Sequence, residues 1–269
     1  MEVAFRLDRN YNHTIHLMNT RHILASLLLL FISSSLVAQQ FKQADEYKPE
    51  DTEFWDPEVE KVDPGESNAT PPSDAIVLFG ENDLSNWESV EGGEAQWDVT
   101  GNYFTVKPGT GPIKTKEDFG NFQLHIEWRS PQEIVSESQG RGNSGVFLQG
   151  LYEVQVLDSY DNRTYANGQA GSIYKQSPPL VNATRSPLEW EVYDIIYTAP
   201  EFDEKNGALV EPGYVTVLHN GVVVQNNTKL QGTTAYIGTP QWKAHGDGPI
   251  VLQDHSNPVS FRNIWIREL

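Results

Sequence analysis

From Asp74 to the C-terminus the chain is written in short apolar-alternating runs, cut every few residues by Gly, Asn, Pro or Asp. The run from Phe122 to Arg129 is the clearest. Phe122, Leu124, Ile126 and Trp128 fall on one side, and Gln123, His125, Glu127 and Arg129 on the other. A period of two residues is that of a strand with one buried face. Further strands are predicted over 76–79, 146–149, 152–157, 192–198, 214–219, 222–225, 250–253 and 259–267. Asn220-Gly221 joins two of these runs as a tight hairpin, and Thr100-Gly101-Asn102 joins two more. No segment keeps a helical period for more than a few turns, and no internal repeat is present. Many short strands with turn residues between them specify an all-β sandwich of two sheets.

What precedes this region has a different texture. Residues 39–73 are acidic and contain several prolines, a composition that buries too little apolar surface to offset the entropy of ordering. They read as a linker or a strap lying on the domain, with Phe54 and Trp55 the one sign that part of it docks. Residues 1–38 read as a secretory signal peptide: Arg21-His22, an apolar stretch from Ile23 to Ile32, then Ser33-Ser34-Ser35-Leu36-Val37 and a small residue, Ala38, at the cleavage point, with Leu36 larger than the residue usual two before it. Met18 would serve equally well as the start. The apolar stretch falls short of the roughly 20 residues a membrane span needs. The folded domain is then 74–269, in a protein secreted or delivered to the periplasm of a bacterial envelope.

Charge and cysteine content narrow the function further. With 19 Lys+Arg against 37 Asp+Glu, the net charge is −18. Nucleic acid is not an expected partner, because phosphate binding wants clustered Lys/Arg. Anionic membrane surfaces are repelled for the same reason. The absence of cysteine excludes disulfides, thiolate metal sites, a cysteine nucleophile and a lipid-anchored export signal.

Three places could carry chemistry. In the run from Tyr152 to Ser159, Glu153 and Gln155 share a strand face, and a bulge after Val156 would bring Asp158 to the same side. Two carboxyls flanking a polar residue can cleave a glycosidic bond, one as acid and one as nucleophile or base. A solvated acidic face is the plainer alternative. Glu127 and Arg129 could face a cleft beside Glu153 or form a surface ion pair. Gln253-Asp254-His255 stands in a loop between strands, where His255 could act as general base or ligate a cation with Asp254. Tyr174, Trp190, Tyr193 and Trp242 could stack on sugar rings or simply fill the core. Zinc-ligand spacing, phosphate-cradling glycine loops and a nucleophilic serine elbow are all absent.

The order of motifs resembles the 3-keto-disaccharide hydrolase domain family. The matching segments are LFGENDLSNWE, FGNFQLHIEWR, GNSGVFLQGLYEVQVLDS, NGQAGSIY, PLEWEVYDIIY, VTVLHNGVVVQNN and LQDHSNPVSFRNIWIREL. They run in the family's order from Ile76 to Leu269. The resemblance implies a concanavalin A-like jelly-roll sandwich of two antiparallel sheets with a ligand cleft. It also implies action on glycosides whose sugar carries a ketone at carbon three. That ketone acidifies the proton on carbon two, so a base can remove it and the aglycone leaves carbon one by elimination, with water adding back afterwards. A base and a group that stabilises the enolate oxygen are required, and a bound divalent cation could serve as the stabiliser.

Carried onto this chain, the family's polar positions are Glu127, Arg129, Asn143, Ser144, Glu153, Gln155, Asp158, Tyr174, Gln253, Asp254, His255, Arg262 and Asn263. Of these, Glu153, His255, Glu127 and Asp158 are the catalytic candidates. Arg129, Asn143, Gln155, Tyr174, Gln253 and Asp254, together with Trp190, are the candidates for binding a glycoside substrate. Two departures stand out: Ser256 replaces the glycine usual after LQDH, and Lys175 replaces a smaller residue after GSIY and would narrow the cleft. A conventional retaining glucanase and a non-catalytic carbohydrate-binding module are the alternatives. Gln155, where such a glucanase has its middle aspartate, weighs against the first.

Overall fold

A computed structural model describes residues 47–80 and 82–269; the expected signal peptide lies outside them. The chain divides into two compact units, 1–60 and 61–269. In the first, the described residues hold a single 3-10 turn at Pro49–Thr52. Phe54 and Trp55, expected to dock, are 94% and 82% exposed.

The second unit is a sandwich. Its strands begin with β1 (Ile76–Phe79), β2 (Trp87–Ser89), β3 (Asp98–Thr100), β4 (Tyr103–Thr105) and β5 (Ile113–Thr115). Then come β6 (Phe122–Arg129), β7 (Ser144–Leu148), β8 (Tyr152–Val156), β9 (Glu191–Thr198), β10 (Glu201–Phe202) and β11 (Leu209–Glu211). The last are β12 (Tyr214–His219), β13 (Val222–Lys229), β14 (Val251–Leu252) and β15 (Ser260–Glu268). One antiparallel sheet of eight strands runs β13-β12-β9-β6-β15-β4-β3, with β1 added on β15. A second sheet of five runs β2-β5-β14-β7-β8, and β10 pairs β11 apart from both. Asn220 and Gly221 turn β12 into β13 with φ of 53° and 79°, the double left-handed geometry for which that dipeptide is suited.

Alternation decides what faces what. Phe122, Leu124, Ile126 and Trp128 on β6 are fully buried, as are Tyr193, Ile195 and Tyr197 on β9. From the other sheet, Val146, Leu148, Tyr152, Val154 and Val156 complete the same core. Each such side chain contributes about 1.5–3 kcal/mol on leaving water. Two tyrosine hydroxyls bridge the layers: Tyr193 donates to the Gln155 carbonyl at 2.8 Å and Tyr197 to Gln149 Oε1 at 2.7 Å. With the inner faces so occupied, the remaining residues of β6 and β8 must point outward, in opposite directions.

Residues 61–73 belong to this unit. Asp63 and Ser73 close the segment on itself, with each backbone N–H bonded to the other residue. Asn263 reaches it by donating to the Ala69 carbonyl at 2.8 Å. A hollow of about 460 Å³ separates Val62, Pro64 and Pro72 from Asp194, Ile196 and Trp265 on the outer face of the larger sheet.

Candidate active site

β7 and β8 pair so that Phe147 stands opposite Glu153 and Gly145 opposite Gln155. Because Tyr152, Val154 and Val156 are committed to the core, Glu153 and Gln155 lie on the outer face of the smaller sheet. There they floor a cleft of about 660 Å³. Gln139 and Asn143 border it on one side, and Tyr165, Tyr174 and Lys175 on another; Thr234, Tyr236, Gln253 and His255 complete the wall.

Glu153 is 4% exposed. Burial pushes its pKa from 4.5 up to about 8, and among the described residues no neighbouring charge or hydrogen bond offsets the penalty. At neutral pH the group is a carboxylic acid with a proton to give. Gly145 makes the space for it: a Cβ at that position would sit 2.6 Å from Glu153 Oε1.

Gln139 sets the amides around this acid. Its Nε2 donates to Thr164 Oγ1 and to the Gly168 carbonyl, both at 2.9 Å. Its Oε1 must therefore turn the other way, where it accepts from Gln155 Nε2 at 3.0 Å. The backbone carbonyl of Gln139 accepts from Asn143 Nδ2 at 2.6 Å. Gln155 and Asn143 thus each spend one amide hydrogen on Gln139 and keep a second. Tyr165 and Tyr174 join hydroxyl to hydroxyl at 2.7 Å. Burial is the first cause raising both phenols, so they stay protonated in the neutral range.

His255 reaches the rim on a loop fixed at several points. The Gln253 amide donates to the Gly145 carbonyl at 3.0 Å, and Ser144 Oγ donates to the Gln253 carbonyl at 2.7 Å. Asn257 Oδ1 accepts from the Gly142 amide at 2.8 Å, and its Nδ2 donates to the His255 carbonyl at 2.9 Å. Asp254 turns away from the cleft. Its Oδ2 accepts from the amides of Gly109 (2.8 Å) and Gly111 (3.1 Å), and its Oδ1 from that of Ser256 (2.8 Å). Its expected contact with substrate gives way to a structural clamp.

Several other expected residues stand elsewhere. Asp158 accepts from Arg141 Nε at 2.7 Å and from the Tyr160 amide at 3.2 Å, so its carboxylate is spent on an ion pair below the surface. Glu127 lies on the outer face of the larger sheet, on the far side of the core from Glu153. Burial would raise its pKa, but hydrogen bonds from His125, Asn263 and Arg262 outweigh that and hold it at about 2. The Arg262 Nε–Glu127 Oε2 distance is 2.6 Å. Arg129 lies over the rings of Tyr103 and Trp190, 4.6 Å from each centroid, and Arg262 covers Trp190 at 4.1 Å. Arg129 and Trp190 thus belong with Glu127 in a cation–π stack, remote from Glu153 and His255. Strand parity is the reason: inward Trp128 leaves Glu127 and Arg129 no route to the cleft. Tyr193, a stacking candidate, is core, and Trp242 packs against Tyr152 and Phe202.

Gln139, Phe147, Tyr165, Thr234 and Tyr236 are cleft residues that sequence reasoning missed. Tyr165, Thr234 and Tyr236 come from irregular segments and Gln139 from a three-residue 3-10 turn, Ser138–Gly140, and in neither does periodicity carry a signal. Among the described residues, no group of three or more His, Cys, Asp or Glu side chains could hold a metal ion.

These features have a known context. A 3-keto-alpha-glucoside-1,2-lyase-like domain matches residues 74–267. The chain belongs to this family. A crystal structure from Parabacteroides distasonis, described as a candidate glycosyl hydrolase, shares 57% identity over 86% of this chain and all of its own, with a TM-score of 0.80. Two further candidate glycosyl hydrolases from the same organism share 20% identity, with TM-scores of 0.53 and 0.51. They cover 73% and 72% of this chain and 94% and 99% of their own. At that identity they support the fold alone. No curated protein matches. Family and 57%-identical relative together support a glycoside-acting enzyme.

Proposed function

We propose that this chain is an exported enzyme that cleaves 3-keto-glycosides by 1,2-elimination. The observation that carries the reading is Glu153: a buried, unpartnered carboxylic acid on the floor of a cleft whose rim holds His255. In the proposed step the imidazole of His255 takes the proton from carbon two, which the adjacent ketone acidifies. The electron pair forms the C1–C2 double bond as the C1–O bond to the aglycone breaks. Glu153 gives its proton to the departing oxygen. Negative charge developing on the ketone oxygen is met by the spare amide hydrogens of Asn143 and Gln155. Water then adds to carbon one and a proton returns to carbon two, so elimination followed by hydration equals hydrolysis.

The two-carboxylate chemistry of a retaining glucanase finds less support. It needs a second carboxyl about 5–5.5 Å from the first, and among the described residues lining the cleft Glu153 is the one acidic side chain.

The test uses purified protein and a C3-oxidised α-glucoside carrying deuterium at carbon two. Elimination predicts slower aglycone release from the deuterated compound and a transient conjugated enone absorbance. Direct hydrolysis shows neither.

A further inference from the structure

Lys175 is an unusual wall residue. Its backbone φ is +57°, a left-handed conformation that side chains bearing a Cβ enter at a cost. The amide is held there by the Asn167 carbonyl at 2.8 Å. The ammonium lies 4.2 Å above the Tyr236 ring, 5.7 Å from that of Tyr174 and 5.9 Å from that of Tyr165. It donates to the Tyr236 carbonyl and keeps two N–H donors. No carboxylate pairs with it among the described residues, although the protein's net charge is −18. Glu153, neutral below about pH 8, does not cancel its charge within the cleft. Tyr236 is 72% exposed, so its second face is open to a planar group.

An aromatic wall with one uncompensated cation suits a flat ligand carrying negative charge. We propose that Lys175, with Tyr165, Tyr174 and Tyr236, forms a leaving-group subsite for an aromatic aglycone bearing a carboxylate. The inference rests on the cleft being the glycoside site and names the class of glycoside it selects. The rings stack on the aryl group, and the ammonium meets the carboxylate at its edge.

The test is equilibrium binding of 4-carboxyphenyl α-glucoside and of its neutral isostere, 4-carbamoylphenyl α-glucoside, to the full chain. The carboxylate should bind about tenfold more tightly, the scale of one partly exposed charge-assisted hydrogen bond. Lys175→Met should bring the two affinities within about twofold of each other. In wild-type protein, raising salt from about 0.05 to 0.5 M should shrink the preference, because screening weakens an exposed pair; this arm does not depend on the variant folding. Equal affinities in wild-type protein, or a preference that survives Lys175→Met, overturn the subsite and leave elimination standing. Binding of neither compound overturns the subsite, and aglycone release from a C3-oxidised glucoside then decides separately whether the cleft is a glycoside site.

Discussion

Gly145 and Glu153 share one small volume: a Cβ on the glycine would lie 2.6 Å from the carboxyl oxygen and 3.1 Å from Cγ. The bare backbone of β7 is what allows an acid to lie buried on the floor of the cleft, with no hydrogen-bond donor to it among the described residues. Its raised pKa follows from that placement.

Gly145→Ala should therefore push the carboxyl aside. Overpacking of this kind costs about 1–3 kcal/mol, and displacement of the acid should lower kcat/KM by about tenfold or more. Thermal unfolding and aglycone release read the two effects separately.

The pH dependence has a defined sign. Glu153 has a folded pKa of about 8 against 4.5 when free. The stability its protonated form contributes is complete below about 4.5 and is lost as pH rises through about 8, because only the unfolded chain ionises readily. Glu153→Gln should thus gain Tm relative to wild type on going from pH 5 to pH 9. In the wild-type enzyme kcat/KM should fall above about pH 8 as Glu153 loses its proton, and in the variant that alkaline limb should vanish.

Glu127 supplies the opposite case. Its folded pKa of about 2 means that its contribution is complete above about 4.5 and disappears as pH falls through about 2. Glu127→Gln should destabilise the fold by about 1–3 kcal/mol at pH 7, the cost of disturbing a half-buried, hydrogen-bonded ion pair. Aglycone release should be unaffected, since the residue faces away from the cleft. Unfolding at pH 7 and pH 3 measures the first claim, and steady-state kinetics the second.

Ser256 sits at φ +61°, beside His255. Ser256→Gly should stabilise the protein by about 0.5–1 kcal/mol, by removing a Cβ from left-handed backbone. Chemical denaturation checks it.

Strand parity made much of this legible in the sequence. The alternation along β6 and β8 announced two half-buried sheets, and it placed Glu153 and Gln155 side by side. It could not say on which surface of the sandwich each polar face would emerge. Glu127 and Glu153 look equivalent as acidic residues on alternating strands, yet the core lies between them. Asp158 and Asp254 look like site carboxylates, but their partners, Arg141 and the amides of Gly109 and Gly111, are fixed by loop conformation and not by any period. Tyr236 and Gln139 were hidden for the same reason. Their positions depend on how irregular segments close over β8.

Methanol release from a C3-oxidised methyl α-glucoside, whose alkoxide leaving group needs a proton, set against the unoxidised compound, bears most directly on Glu153 as the acid in the cleft. The oxidised glucoside should be cleaved and the unoxidised one left intact, with Glu153→Gln slowing release by about 100-fold or more, the usual scale for losing a general acid. Full activity in Glu153→Gln, or equal cleavage of both glucosides, would contradict the account.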